Sequence, residues 1–245
     1  MCRRRTEERH TACAYYYSGG EPARPRVHWP DAMPRPAFIS LDGPDGTGKS
    51  TQHALLVEWL TARKVPVTAC TDPGGTALGQ QLRQLLLFGR EHRIALPAEA
   101  LLFMASRAQL VEEIIRPALA RGEVVVSDRF TLANVVYQGH AGGLDPKELW
   151  AVGRLAAGGL TPDLTLVFDA DLDVALSRRT RAADRLEERG REYQEAVRRG
   201  FVYEAGMRPG PYHIVDATPD LATVQDAVRA RVTRLLTEYG WTLAE

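Results

Sequence analysis

The chain has 245 residues and a mass of 27.1 kDa, and its 31 basic and 31 acidic side chains balance to a formal charge of zero. With 44% hydrophobic and 25% charged residues it can bury a sizeable core, and its neutrality argues against coating nucleic acid or an anionic membrane. No apolar run approaches the ~20 residues of a membrane-spanning helix. Cys2, Cys13 and Cys70 form neither a disulfide framework nor a metal-binding spacing, so a reducing, cytoplasmic setting is expected.

Residues 1–36 hold seven Arg, five of the 15 prolines and the run Tyr15-Tyr16-Tyr17, with no apolar period. They read either as a disordered N-terminal extension or as a stretch upstream of a true start at Met33. The lack of an apolar h-region argues against a secretory signal, and Glu7, Glu8 and Glu21 argue against a transit peptide. Residues 37–245 are expected to form a single domain. Within it, residues 37–41 predict a buried strand. That strand runs into Gly43-Pro44-Asp45-Gly46-Thr47-Gly48-Lys49-Ser50, which fits G-x-x-x-x-G-K-[ST], the loop whose backbone N–H groups cradle phosphates ahead of a helix. Only three basic residues are Lys, and Lys49 is one of them in a chain that elsewhere writes Arg. A compact ammonium there suits the β- and γ-phosphates, and the Ser50 hydroxyl suits Mg²⁺. ATP binding is accordingly expected from Gly43, Pro44, Asp45, Gly46, Thr47, Gly48, Lys49, Ser50 and Thr51.

Further along, helical patterns cover 49–62, 77–88, 97–121, 146–157, 172–179, 191–207 and 221–239. They alternate with strands at 65–70, 123–127, 164–168 and 212–215. Pro97 suits a helix start and Gly122 a helix end. The alternation predicts an α/β fold around a mainly parallel sheet, and the near-continuous apolar strands require both sheet faces to be covered. Asp128 falls at the C-terminal end of its strand, the edge where ligands of such sheets collect, and can hold Mg²⁺. It is followed by Arg129 instead of a water-activating Glu, and an Arg there suits a second anionic substrate. An Asn-Lys-x-Asp guanine motif is lacking, so the pattern points to a transferase and not a GTP switch.

The chain from residue 37 onwards resembles the thymidylate kinase family. The residues that carry the resemblance are the phosphate loop, Asp72-Pro73-Gly74-Gly75-Thr76, the helix segment 101–109, Asp128-Arg129-Phe130, Tyr137-Gln138-Gly139, Pro162-Asp163-Leu164 and Asp184-Arg185. It implies a three-layer P-loop kinase fold, a five-stranded sheet flanked by helices, and transfer of the ATP γ-phosphate to dTMP with Mg²⁺ at Ser50 and Asp128. It further implies that Arg129 binds the acceptor phosphate and that Asp45 accepts from the sugar 3′-hydroxyl. Phe103 would stack on the base, although its periodicity alone reads as core. Arg107 would donate to a base carbonyl, Asn134 and Gln138 would meet the base edge, and Tyr137 would crowd the 2′ position. A lid at about 178–191 would bring Arg178, Arg181 or Arg185 to the transferring phosphate, because Gly46 stands where some members carry an Arg. A homodimer is implied as well.

Several positions depart from the family pattern: Thr71 replaces an Arg, Asp72 a Glu, Phe130 a Tyr and Ala133 a Ser, while Ser106 stands where an acidic residue is common. Two other readings compete. One is a nucleotide or deoxynucleoside kinase of the same fold, with Asp72 as general base. The other is a non-catalytic nucleotide-binding homologue.

Overall fold

The computed structural model describes residues 33–244, apart from 90, 92, 179–183 and 209. Residues 1–32 of the expected N-terminal extension and the candidate Arg181 lie outside the described residues. Five strands form one sheet: β1 (Phe38–Asp42), β2 (Val67–Thr71), β3 (Val124–Asp128), β4 (Leu164–Asp169) and β5 (Tyr212–Asp216). Their order is β2-β3-β1-β4-β5, and every pairing is parallel. From β1 the chain passes first to the edge strand β2, returns to β3 beside β1, and then crosses to the other side for β4 and β5. The point of reversal therefore falls at the C-terminal ends of β1, β3 and β4, which is where open parallel sheets bind ligands.

Alternation along each strand divides the core. Ile39, Leu41, Val126, Leu166 and Phe168 pack against Leu56 and Leu60 of α1 (Lys49–Ala62) and Val224, Val228 and Val232 of α9 (Leu221–Glu238). Phe38 and Val125 point the other way, against Leu110, Val111 and Ile115. Their same-face neighbours nearer the strand ends are polar: Ser40, Asp42 and Ser127 are fully buried, and the Ser40 hydroxyl donates to Asp42.

The remaining helices are α2 (Ala77–Arg83), α3 (Leu96–Leu110), α4 (Arg116–Ala120), α5 (Thr131–Asn134), α6 (Pro146–Ala156), α7 (Leu172–Ser177) and α8 (Arg191–Met207). The single helix expected over 97–121 is divided into α3 and α4 by a wide π turn, Val111–Ile115. The register shifts just ahead of Pro117, which has no N–H to continue the ladder. Similar turns extend α2 through Gln84–Phe88 and α5 through Val135–His140. The second of these corrects the sequence reading, which placed no helix between Arg129 and Pro146. No described helix is long and apolar enough to cross a membrane.

Candidate active site

The phosphate loop is shaped by backbone. Gly43 has φ 135°, and a Cβ there would lie 2.4 Å from the Phe168 carbonyl oxygen of β4. Gly48 caps α1 in the left-handed region at φ 85°, which turns the first N–H groups of that helix towards the loop. Lys49 is buried, and its ammonium donates to the Pro44 carbonyl at 2.5 Å and lies 3.9 Å from Asp45. Burial, reinforced by the nearby Arg129, lowers its pKa to about 8. Ser50 donates to Asp128 Oδ2 at 2.7 Å, which brings together the two groups expected at Mg²⁺. A hydroxyl beside a carboxylate is a hard-oxygen donor set suited to a Mg²⁺ ion that draws its other ligands from phosphate and water. The residues therefore fit the ion. Among the described residues no cluster of three or more His, Cys, Asp or Glu side chains forms a metal cage of its own.

Arg129 follows β3 with φ 72°, in the left-handed region that a non-glycine residue rarely occupies. That backbone turn sends its guanidinium back over the phosphate loop. It donates to the Gly43 carbonyl at 3.0 Å, to Asp45 and to the Tyr137 hydroxyl at 3.2 Å, and Tyr137 in turn donates to Asp45 at 2.6 Å. Burial works against the charge on Arg129, but Asp45 and the surrounding acids outweigh it and hold the guanidinium firmly protonated. Three residues expected at the acceptor thus meet at one point above the loop.

The far wall of the cleft comes from α3. Glu99, Phe103 and Arg107 succeed one another at four-residue spacing, so they share one face of the helix. Phe103 packs among Leu86, Leu87, Tyr137 and Leu186, as its periodicity reads, and also lines the cleft. Arg107 is 1% exposed. Its Nε donates to Asp72 Oδ2 at 2.5 Å and its Nη2 to Asn134 Oδ1 at 2.7 Å, while Nη1 makes only a sulfur contact with Met104. Asn134 donates to Gln138 at 2.9 Å. Burial raises the Asp72 pKa against the pull of Arg107, and its Oδ1 is enclosed without a hydrogen-bond partner.

These groups surround a single cleft of about 550 Å³. From the loop it extends one way to Phe103, Arg107 and Asn134, and the other way to Arg178, Ala217 and Val224.

Two arginines expected at the transferring phosphate are held elsewhere. Arg178 donates to the carbonyls of Ala217, Thr218 and Pro219 ahead of α9, and Arg185 donates to Glu99 at 2.8 Å. Gly46 leaves no room for a side chain, since a Cβ there would fall 2.1 Å from the Ala175 carbonyl of α7. Sequence reasoning missed two residues at this site. Arg83 of α2 lines the cleft and donates to the Pro73 carbonyl at 2.9 Å, and Glu99 is completely buried, bonded to Gln138. The four-residue stride from Arg107 through Phe103 to Glu99 would have revealed the second.

A phosphate cradle that shares its cleft with a walled second pocket, joined at a cationic side chain, defines a P-loop phosphotransferase acting on a small molecule. The thymidylate kinase family model matches residues 41–228. A thymidylate kinase of Symbiobacterium thermophilum is 43% identical over 200 residues, covering 81% of this chain and 94% of the relative. One of Rhodopirellula baltica is 44% identical over 204 residues, with 82% of each covered. The crystal structure of the thymidylate kinase from Ehrlichia chaffeensis superposes with a TM-score of 0.67 at 29% identity, covering 82% of this chain and 99% of that one. The chain belongs to the thymidylate kinase family and is an enzyme.

Proposed function

We propose that the protein transfers the γ-phosphate of ATP to dTMP, with Mg²⁺, and that the cleft divides between the two substrates at Arg129. The observation that carries this reading is the position of Arg129 itself, bonded at once to the phosphate loop through Gly43 and to Asp45 and Tyr137 on the acceptor side. The ATP phosphates rest on the backbone N–H groups of residues 45–51 and on Lys49, and the nucleoside end lies along the arm bounded by Arg178, Ala217 and Val224. Ser50 and Asp128 hold Mg²⁺, which supplies positive charge at the β- and γ-phosphates when bound.

An acceptor phosphate has its second pKa near ~6, so at neutral pH it arrives as a dianion and needs no general base. The protein's task is to hold two anions in line and spread positive charge around them. Arg129 exchanges Asp45 for the acceptor phosphate, with Arg83 beside it. Asp45 is then available to the sugar 3′-hydroxyl, and Tyr137 crowds the 2′ position. Phe103 stacks on the pyrimidine, Arg107 offers its weakly engaged Nη1 to a base carbonyl, and Asn134 and Gln138 meet the base edge. The pairing of Asp72 with Arg107 supports this assignment over one in which Asp72 is a base for a neutral hydroxyl. Arg178 and Arg185 reach the transferring phosphate only by leaving their present partners.

The exposed side chains of Leu101 on α3 and Leu155 on α6, two helices that pack together, support a homodimer that covers them. The reading places the enzyme in the cytoplasm. ADP release with dTMP, dUMP, UMP, CMP or thymidine as acceptor tests the reaction. Turnover highest with dTMP is the expected result, and turnover with thymidine in place of dTMP would transfer the base role to Asp72.

A further inference from the structure

Glu99 has no part in the chemistry above, yet it is completely buried and both its oxygens are engaged. Oε1 accepts from Gln138 Nε2 at 3.0 Å, and Oε2 accepts from Arg185 at 2.8 Å and Arg189 at 2.6 Å. A carboxylate withdrawn from water is tolerable only when charges and donors replace its hydration, and two guanidinium groups do so here. Both come from the short segment 184–189. That segment otherwise rests on Leu186 in the apolar cluster, on the Arg185 N–H bond to the Leu87 carbonyl at 3.1 Å, and on the Gln194 side chain at 3.2 Å from the Leu186 carbonyl.

On the other side of Glu99 the chain of hydrogen bonds is continuous: Glu99 to Gln138, Gln138 to Asn134, Asn134 to Arg107, and Arg107 to Asp72. Its polarity follows from its ends. An ionised Glu99 can only accept, so Gln138 must turn its NH₂ towards it and its oxygen towards Asn134. Arg107 can only donate, so Asn134 must give it the oxygen and turn its NH₂ to Gln138. Both amides are thereby set in one orientation from both ends.

We propose that Glu99 is a positioning residue that fixes the amides meeting the acceptor base and couples them to the arginine segment 184–189. Occupancy of the base pocket and seating of that segment then strengthen each other. The coupling rests on dTMP being the acceptor. Because coupling is reciprocal, disturbing the arginines must weaken dTMP binding even though neither touches the base.

The test is calorimetric binding of dTMP, without ATP, to the wild type, Glu99→Gln, Arg189→Ala, the double variant and Arg189→Lys, alongside steady-state KM for ATP and thermal melting. The expected result is dTMP binding weakened about fivefold or more in each of the first two variants. The double variant should be no weaker than the worse single, Arg189→Lys should restore most of the loss, and the ATP KM should stay within about twofold. Folded single variants that bind dTMP like the wild type, or singles whose losses multiply in the double, would overturn the coupling. A wild type that fails to bind dTMP would instead remove the acceptor reading, and the coupling with it. Should Glu99→Gln not fold, Arg189→Ala decides alone: its side chain is 28% exposed on the outer segment, and unaltered dTMP affinity there refutes the proposal.

Discussion

The two halves of the cleft are made of different material. The proposed donor half is a run of consecutive residues that offers backbone N–H groups aimed by glycine conformations, with Lys49, Ser50 and Asp128 at its edge. The acceptor half is made of side chains from β2, α2, α3, α5 and the turns that follow them, oriented by one another through buried hydrogen bonds. Backbone built into a tight turn tolerates almost no change, whereas a side-chain wall can exchange one member if a neighbour adjusts. The departures from the family pattern sit accordingly. Thr71, Asp72, Ser106, Phe130 and Ala133 all belong to the acceptor half, and the structure accounts for three of them. Asp72 is matched to Arg107, the Ser106 hydroxyl accepts from the Gly74 N–H at 3.3 Å, and Phe130 stacks edge-on to Phe38 with centroids 4.9 Å apart.

This contrast can be broken most sharply at Lys49. Lys49→Ala removes the ammonium from the phosphate loop and should lower kcat by about 10²–10³-fold while leaving dTMP binding within about twofold. An active Lys49→Ala enzyme would show that the loop is not the donor site. Arg129→Ala comes next, because Arg129 serves both halves. A loss of about 10²-fold in kcat/KM for dTMP is expected, with a smaller change in the ATP KM. Equal losses for both substrates would move Arg129 into the donor half.

Arg107→Ala probes the cost of a side-chain wall. Truncation leaves Asp72 buried without its cation, at about 3–5 kcal/mol of stability. For a chain of this size that corresponds to a Tm roughly 10 °C lower. Discrimination among pyrimidine acceptors should weaken in the folded fraction, and an unchanged Tm would mean that Asp72 is not held by Arg107.

The donor half has a pH signature of its own. Burial brings the Lys49 pKa down to about 8, so in the nucleotide-free protein the ammonium is charged below that value and neutral above it. A bound triphosphate favours the charged form and raises the pKa. ATP affinity should therefore be flat below pH 8 and fall by up to about tenfold per unit above it, with proton uptake on binding detectable by calorimetry in buffers of different ionisation enthalpy. Affinity that is level through pH 9 would contradict a buried, titrating Lys49. Smallest of all is the expected effect of beginning the chain at Met33: Tm and kcat should stay unchanged within ~0.5 kcal/mol.

The same division explains what could be read from the sequence. The phosphate loop is eight consecutive residues with a geometric reason for each glycine, and the β-branched runs of β3 and β4 announce buried strands directly. The helix after Arg129 was hidden because Thr131, Val135 and Val136 are weak helix formers, and burial against α6 and α8 overrides their preference. Arg83 looked like one more polar residue on α2, since nothing local shows that the loop Asp72–Gly75 folds back over it. Arg178 and Arg185 belong to a charge run whose partners, the carbonyls at 217–219 and Glu99, come from distant parts of the chain. Side chains that share a function without sharing a local pattern become visible only once the chain has brought them together.

The contact of Gly46 with α7 bears on how such enzymes can change over time. In this chain an arginine rooted at position 46 and an α7 packed down on the loop would compete for the same volume. Substitution at 46 alone would drive a side chain into the Ala175 carbonyl. Withdrawing α7 alone would leave the loop unsupported on that side. An arginine at this position of the loop would therefore need two changes made together, one at 46 and one that moves α7.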